Sequence, residues 1–503
     1  MGLKRPRVDK RDWKGRANSS WGGAKEDTKD GEQSNESQSK GPSGSFTIEQ
    51  LKENAEEWDR RIVAEKGGKR KYAVCFGYLG SSYQGLQSNP DCNSVEMYVE
   101  KALFLAGGIT EENFGYLQKI QWSRAARTDR GVHANSQCCA MRLSIPTYSP
   151  SEDLDTQRNK FVESINSFLP ADIRAHFVTK VTKSFNAKNM CDRRKYHYML
   201  PSYVFKNRAE LLSIMEEAYT EQGPMPDVTK GGRYSTSGSD KHLGPEALHG
   251  VRNNVLVKNH RASEAEVSAL RDALKCYVGS HKFHNFTAGK TPSDADASRY
   301  ILSFDCSAPF VDENTGVEWV LLTVLGQSFL LNQIRKMVGL AAEIAAGVAD
   351  PLTVSKALSN SRVDVPMITG LGLYLEELYF ESYNNKLASE NKKISSKTNN
   401  VNNGSKKIGP DETVSGEKRR HDGTSKVSGD SIPADGVEMH ELLQFTDSGS
   451  AKKLQTCRES VIWPHVYAEE KENLHFLYYL DNLRVWPRTY CEEVWKKQEI
   501  ENK

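Results

Sequence analysis

The distribution of apolar positions divides the chain before any single motif is considered. Residues 1–45 are rich in Gly, Ser, Lys, Glu and Asp with almost nothing to bury, so they cannot offset the entropy of ordering and are expected to form a flexible basic tail. From Thr47 the pattern changes. Thr47 and Gln50 have capping-box spacing, and Ile48, Leu51, Ala55, Trp58 and Ile62 recur at helical intervals, which predicts an amphipathic helix over 46–68. Strand and helix periodicities then alternate over 69–383. "KYAVCFGYLG" reads as a strand, Asn93 and Glu96 as caps of a helix with Val95, Val99, Ala102, Leu103 and Ala106 on one face, and "QCCAMRLSI" as a second strand. In that second strand Cys139, Met141, Leu143 and Ile145 share one face. Ser149, Pro150 and Glu152 predict the start of a helix leading into "FVESINSFL". Further strands are expected at "IRAHFVTKV", "RRKYHYMLP", "RYILSFDC" and "VEWVLLTVL". Ser263 and Glu266 cap a helix that ends at Gly279, and a last helix is expected over about 328–346, before Gly347.

Two stretches interrupt this alternation. Residues 206–255 are polar and Gly-rich and read as an insertion loop, while 384–438 repeat the composition of the tail and read as a disordered linker with a basic cluster at 418–420. Folded structure is expected to stop near Tyr383 and to resume over 439–503, where Trp, Tyr and Leu return as a helical extension. Strands and helices without a regular βαβ alternation predict an α+β fold, in which two halves leave a cleft between them.

Composition adjusts this picture in three places. A hydrophobic content of 37% in 503 residues and a mean hydropathy of −0.64 fit a chain that is partly unfolded. The 68 basic and 66 acidic residues leave a net charge of +2, so affinity for nucleic acid has to come from local patches. Nine cysteines without CxxC spacing suggest neither a disulfide framework nor a zinc site, and His281 and His284 lack further ligands, so no metal is predicted. No apolar run reaches the roughly 20 residues that span a bilayer. The segment "MGLKRPRVDKRDWKGR" lacks the apolar core of a secretory signal, and Lys4, Arg5, Arg7, Lys10 and Arg11 look like a nuclear import patch.

The candidate chemistry lies in "RAARTDRGVHA", residues 124–134. Gly131 permits a tight turn that would push the Asp129 carboxylate toward a cleft. Arg124 and Arg127 precede it and Arg130 follows; guanidinium groups within about 4–6 Å would keep it ionised and could also contact phosphates. Taken alone, the stretch reads more readily as a charged surface turn.

Its surroundings add to that reading. "ARTDRGVHA" resembles the catalytic loop of the TruA family of tRNA pseudouridine synthases, in particular its eukaryotic branch. "YLGSSYQGLQ", with Gly80, Tyr83, Gly85 and Gln87, resembles the family's first-strand turn, and "INSFLPADI", "RRKYHYMLP", "GSHKFHNFT", "GQSFLLNQIRKMVG" and "VDVPMITGLGLYLEE" resemble further family segments in the family's order. The resemblance covers roughly residues 70–383. It implies a pseudouridine synthase fold, in which two α+β halves form a continuous mixed sheet around a central basic cleft. It also implies isomerisation of uridine to pseudouridine in tRNA, with mRNA or snRNA as further substrates, and with no cofactor, metal or membrane. Asp129 would be the nucleophile, attacking ribose C1′ or uracil C6. Tyr196 would stack on the base and move a proton from C5, and Arg335 would pair with Asp129. Arg127 would fill the space left by the flipped nucleotide, with Arg124, Arg130, Tyr83 and Gln87 among the substrate contacts. A uridine within a helix is out of reach, so flipping, at a cost of a few kcal/mol, precedes any such chemistry.

The sequence departs from the bacterial pattern at Ala126, at Arg130 and in "SFNAK", and the insertion and C-terminal extension have no bacterial counterpart. Oligomeric state is therefore not carried over, and a monomer is favoured. Nuclear residence is expected, and an organellar pool stays compatible with it. Two other readings remain at this point: an RNA-binding chaperone of the same fold without catalysis, and a base-excising hydrolase that would release free uracil.

Overall fold

The computed structural model describes residues 45–63, 68–89, 92–149, 151–222, 242–402, 441–443 and 448–485. The expected N-terminal tail, its import patch and the basic cluster at 418–420 lie outside the described residues. The described residues belong to one unit, Pro42–Lys503.

Ten strands make a single sheet: β1 (Arg70–Tyr78), β2 (Ser123–Arg124), β3 (His133–Leu143), β4 (Ile173–Lys180), β5 (Arg193–Pro201), β6 (Gly279–Lys282), β7 (Ser298–Cys306), β8 (Phe310–Val311), β9 (Glu318–Gly326) and β10 (Leu373–Tyr379). The order across the sheet is β4-β1-β3-β10-β5-β9-β7-β6, with β2 against β3 and β8 against β9. Pairing is antiparallel except between β3 and β10. The two halves are thus β4-β1-β3 and β5-β9-β7-β6, and the last strand among the described residues fills the gap between them. The strand at the centre of the first half does more than alternate. Residues from His133 to Met141 in β3 are all buried, because both faces of the sheet are covered there.

Helices Val95–Leu105 and Leu154–Phe168 pack together beside the first half, and Glu264–Lys275 and Gln333–Ala345 beside the second. The capping boxes at Thr47/Gln50 and Ser263/Glu266 are both formed. Others are not. Ser94 stands at the N-cap of Val95–Leu105 and makes no side-chain cap bond, and the carboxylate of Glu96 is taken by Arg124 and Trp122. Leu154–Phe168 starts after the Ser149/Glu152 pair, because Asp153 is the residue that caps it, accepting from the Thr156 amide at 2.9 Å. The helix expected over 46–68 is two short ones, Ile48–Glu53 and Ala55–Asp59, split at Asn54, whose side chain caps the second. The helix expected from 328 begins at Gln333, because Asn332 has φ 62° and a right-handed helix cannot run through that conformation.

Two boundary expectations are corrected. The stretch 206–255 is not a plain loop: it contains helices Arg208–Gln222 and Pro245–Asn253, whose Leu211, Met215, Leu248 and Val251 are buried. These apolar positions recur at helical spacing and outweigh the polar, Gly-rich composition between them. Nor does folded structure stop at Tyr383, since helix Glu381–Asn402 continues past it with Leu387 buried. In the C-terminal extension, helices Ser448–Cys457, Trp463–Asn473 and His475–Val485 flank a π-helical turn, Arg458–Ile462. Ile462, Val466, Phe476 and Leu477 join the main core.

Candidate active site

The seam where β10 enters the sheet is where the candidate residues meet. Tyr374 of β10 lies opposite His133 at the start of β3, and Leu375 lies opposite Tyr196 of β5. The loop 125–132 that carries Asp129 runs into β3 at this seam. It is clamped from several directions. The Tyr78 hydroxyl and Thr128 Oγ1 are 2.7 Å apart, Leu86 N donates to Thr128 O at 3.2 Å, and the Gln137 amide bonds both main-chain groups of Ala126. From β5, Arg194 donates to the Ala125 carbonyl at 3.0 and 2.6 Å. The glycines of the first-strand turn permit this closeness: a Cβ on Gly80 would lie 2.1 Å from Val132 O, and one on Gly85 (φ 113°) 2.9 Å from Thr128 O.

Gly131 turns the loop with φ 76°, and Asp129 comes to rest at the start of helix Gln333–Ala345. Its Oδ2 accepts from the Asn332 amide at 3.2 Å, and the helix N-terminus adds a field that favours negative charge. Burial nonetheless wins. It raises the Asp129 carboxyl above its ordinary range, opposed by the Asn332 amide, Arg335 and Arg127 in that order. The result is a partly desolvated carboxylate, a more basic and more nucleophilic group than one in water.

Arg335 reaches Asp129 through its field rather than through an ion pair. Its Nε donates to Ile368 O at 2.8 Å and its Nη1 to Asn332 Oδ1 at 3.4 Å. The expected direct pairing is therefore replaced by a shared scaffold: Arg335 holds Asn332, and Asn332 holds Asp129. Tyr196 is buried, with its ring edge-to-face on Phe329 at 5.3 Å. Burial pushes its hydroxyl well above the usual range, Arg194 acting against this and Asp129 adding to it. Tyr198, two residues along, packs in the core and donates to Thr369 O.

The proposed substrate contacts separate into two groups. Arg127 is exposed, acts on Asp129, and donates to Gln87 Oε1 at 3.2 Å, so these two stay together at the rim. Arg130 is exposed beside the same turn. Arg124 and Tyr83 are turned elsewhere. Arg124 is locked onto the buried carboxylate of Glu96 through Nε and Nη2, the latter at 2.8 Å, a bidentate pair that leaves its fork engaged. The Tyr83 ring is buried and its hydroxyl donates to Asp172 at 2.8 Å; it serves the loop through its carbonyl, which accepts from Gly131 N.

A family model for tRNA pseudouridine synthase matches residues 273–381. The tRNA pseudouridine synthase 1 of Yarrowia lipolytica is 32% identical over 374 residues, covering 66% of this chain and 68% of that protein. The chain belongs to the tRNA pseudouridine synthase family. This is the family that the order of motifs resembled. The pseudouridylate synthase 1 homolog of Mus musculus is 33% identical over 325 residues, 64% of this chain and 63% of its own length. The tRNA pseudouridine synthase 1 of Saccharomyces cerevisiae is 31% identical over 352 residues, 63% of each chain. The chain therefore spans a little under two thirds of the mouse and Saccharomyces proteins.

In this tRNA pseudouridine synthase family member, four residues shape the site that sequence reasoning passed over. Asn332 supplies the amide, and only its residue type, one of the few that tolerate φ > 0, hinted at the conformation. Thr128 and Tyr78 tie the loop to β1. His133 accepts from Gly80 N at Nδ1 and donates from Nε2 to Leu371 O, both at 2.9 Å. Burial first, then His465, lowers its pKa to about 3, so it is a neutral strut joining the first-strand turn, β3 and the loop before β10. Among the described residues no cluster of His, Cys, Asp or Glu could hold a metal ion.

Proposed function

We propose that this chain isomerises uridine to pseudouridine in tRNA, with Asp129 as the nucleophile. The observation that carries this reading is the Asp129 carboxylate, held by the Asn332 amide at a helix N-terminus, in the fields of Arg335 and Arg127 and of the Tyr196 hydroxyl. The flipped uridine enters the seam, Arg127 with Gln87 takes the space it leaves, and the uracil faces Tyr196. Asp129 attacks ribose C1′ or uracil C6. The N1 to C1′ bond breaks, the base turns, C5 bonds to C1′ and the bond to Asp129 breaks, returning its carboxylate; the proton lost from C5 is balanced by one gained at N1. The product is an isomer of the substrate, so no oxidant, reductant or cofactor enters the balance. A low-dielectric site strengthens each of these electrostatic contacts.

The proposal extends to nuclear residence, supported by the basic cluster Lys4, Arg5, Arg7, Lys10 and Arg11, and to a monomeric protein with mRNA and snRNA as further substrates. The test incubates the full chain and its Asp129→Ala variant with unmodified tRNA transcript and analyses nucleosides. Pseudouridine from the unmutated chain alone, without free uracil, is expected. Free uracil would indicate a hydrolase, and no pseudouridine from either chain despite equal tRNA binding would indicate a chaperone. Cell fractionation and light scattering check location and mass.

A further inference from the structure

At the far end of β1 from the catalytic loop, the sheet gathers cations around an open trough. A cavity of about 550 Å³ is lined by Lys69, Arg70, Lys71, Arg142, Lys180 and Lys183, together with the hydroxyls of Thr182 and Ser184. Two neighbouring cavities, of about 510 and 390 Å³, share Arg70 with it and extend the trough past Ser144 and Thr147. The carboxylate that lines it, Glu441, is occupied by Arg158.

Strand register sets two of these charges face to face. Lys71 stands directly opposite Arg142, and Tyr72 opposite Lys180. Like charges facing each other across strands are destabilising, and burial together with Arg142 lowers the Lys71 pKa. Lys71 finds a carbonyl, Gln121 O, at 2.7 Å. Arg70, Arg142 and Lys183 are exposed, and their side chains make no hydrogen bond or ion pair among the described residues. Among the described residues, six cations and one carboxylate, already occupied by Arg158, line this trough, an excess of positive charge that a polyanion would offset.

We propose that this trough is a second RNA-backbone site, which grips phosphates of the same RNA whose uridine reaches Asp129. Its choice of RNA over other polyanions rests on the function proposed above. The nine residues of β1 set the spacing, roughly 26 Å at about 3.3 Å per residue, between the trough and Tyr78, which touches the catalytic loop at Thr128. A strand inside a sheet does not stretch, so the two contacts measure the RNA. A substrate too short to span them uses the catalytic end alone.

The test is the triple variant Arg70→Gln, Arg142→Gln, Lys183→Gln, built in both the unmutated and the Asp129→Ala full chain. Binding to full-length tRNA transcript and to a short hairpin with the target uridine is measured across a salt series. The triple variant is expected to bind tRNA roughly tenfold more weakly, with a salt slope smaller by about 2–3, while hairpin binding and turnover stay unchanged. Arg70→Lys, Arg142→Lys should restore tRNA binding, since a phosphate accepts either cation. Unchanged tRNA affinity and slope overturns the proposal, and so does an equal loss on hairpin and tRNA. Thermal stabilisation by inorganic phosphate alone, with tRNA affinity unaffected, would assign the trough to a free anion instead. Because the readout is binding in the Asp129→Ala background, failure of the isomerase reading leaves the result interpretable.

Discussion

The amide of Asn332 donates to Oδ2 of Asp129 at 3.2 Å across 203 residues of sequence. The bond depends on Asn332 having φ 62°, because that backbone turns the amide outward just before helix Gln333–Ala345 begins. A single left-handed residue in the second half of the chain thereby positions the carboxylate contributed by the first.

Both Asn332→Gly and Asn332→Ala lose the Oδ1 contact to Arg335, but Asn332→Gly should keep the backbone geometry and Asn332→Ala should not, since an L residue with a plain Cβ loses about 1–2 kcal/mol in the left-handed region. Loss of a hydrogen bond to a charged group, about 1.5–3 kcal/mol, corresponds to roughly a ten- to hundredfold fall in kcat. Single-turnover pseudouridine formation by the two variants checks this. Equal rates for both would show that the backbone conformation is not what matters.

Asp129 gives a pH prediction with a definite sign. Its folded pKa is raised, first by burial, so the carboxylate needed for attack is lost at a higher pH than for a free aspartate, and turnover falls on the acid side through that folded pKa. Stability runs the other way: the contribution of the protonated form is complete below the unfolded pKa and lost as pH rises through the folded one. Asp129→Asn is expected to raise the Tm at neutral pH while abolishing activity. Arg335→Leu removes a group that holds the carboxyl down, and should move the acid limb of the pH-rate profile upward. An acid limb in the same place would argue against that role.

Buried Glu96 and half-buried Arg124 form an ion pair that sequence reading had split into a helix cap and a substrate contact. Glu96 is fully buried and also accepts from Trp122, so removing Arg124 leaves a charge without its partner, at a cost of roughly 3–5 kcal/mol. Arg124→Met should lower the urea midpoint accordingly while the folded fraction keeps its RNA affinity. A normal midpoint with weakened RNA binding would return Arg124 to the substrate site.

The C-terminal extension contains its own titrating group. Glu470 is buried, accepts from the Tyr203 hydroxyl and the Phe476 amide, and is pushed up to about 8 by burial. Being raised, it contributes stability that is complete below the ordinary glutamate range and lost as pH rises through about 8. Glu470→Gln should flatten the decline of Tm over that window. A decline of unchanged slope would place its origin in another group.

How much of this could be read in the sequence depends on whether a residue's neighbours are near in the chain. The Thr47/Gln50 and Ser263/Glu266 boxes are local and were readable. Glu96 has the same spacing from Asn93, but a guanidinium from residue 124 claims it, and local pattern cannot see that competitor. Asp129, Tyr196 and Arg335 were named through resemblance, and the structure brings all three to one seam. The substitution of an amide for a direct ion pair was not readable, because it depends on one backbone angle. The helix at Arg208–Gln222 was readable in Leu211, Ile214 and Met215 and was masked by the Gly-rich composition that follows.

The position of β10 has a consequence for synthesis. Its pairing partners, β3 and β5, are both made long before Leu373 leaves the ribosome. Until then each half-sheet exposes an inner edge with unpaired amides and carbonyls, and such edges invite pairing with other chains. The seam that holds Asp129 does not exist in any shorter nascent chain. Catalysis and protection from aggregation therefore arrive together, within the translation of a single seven-residue strand.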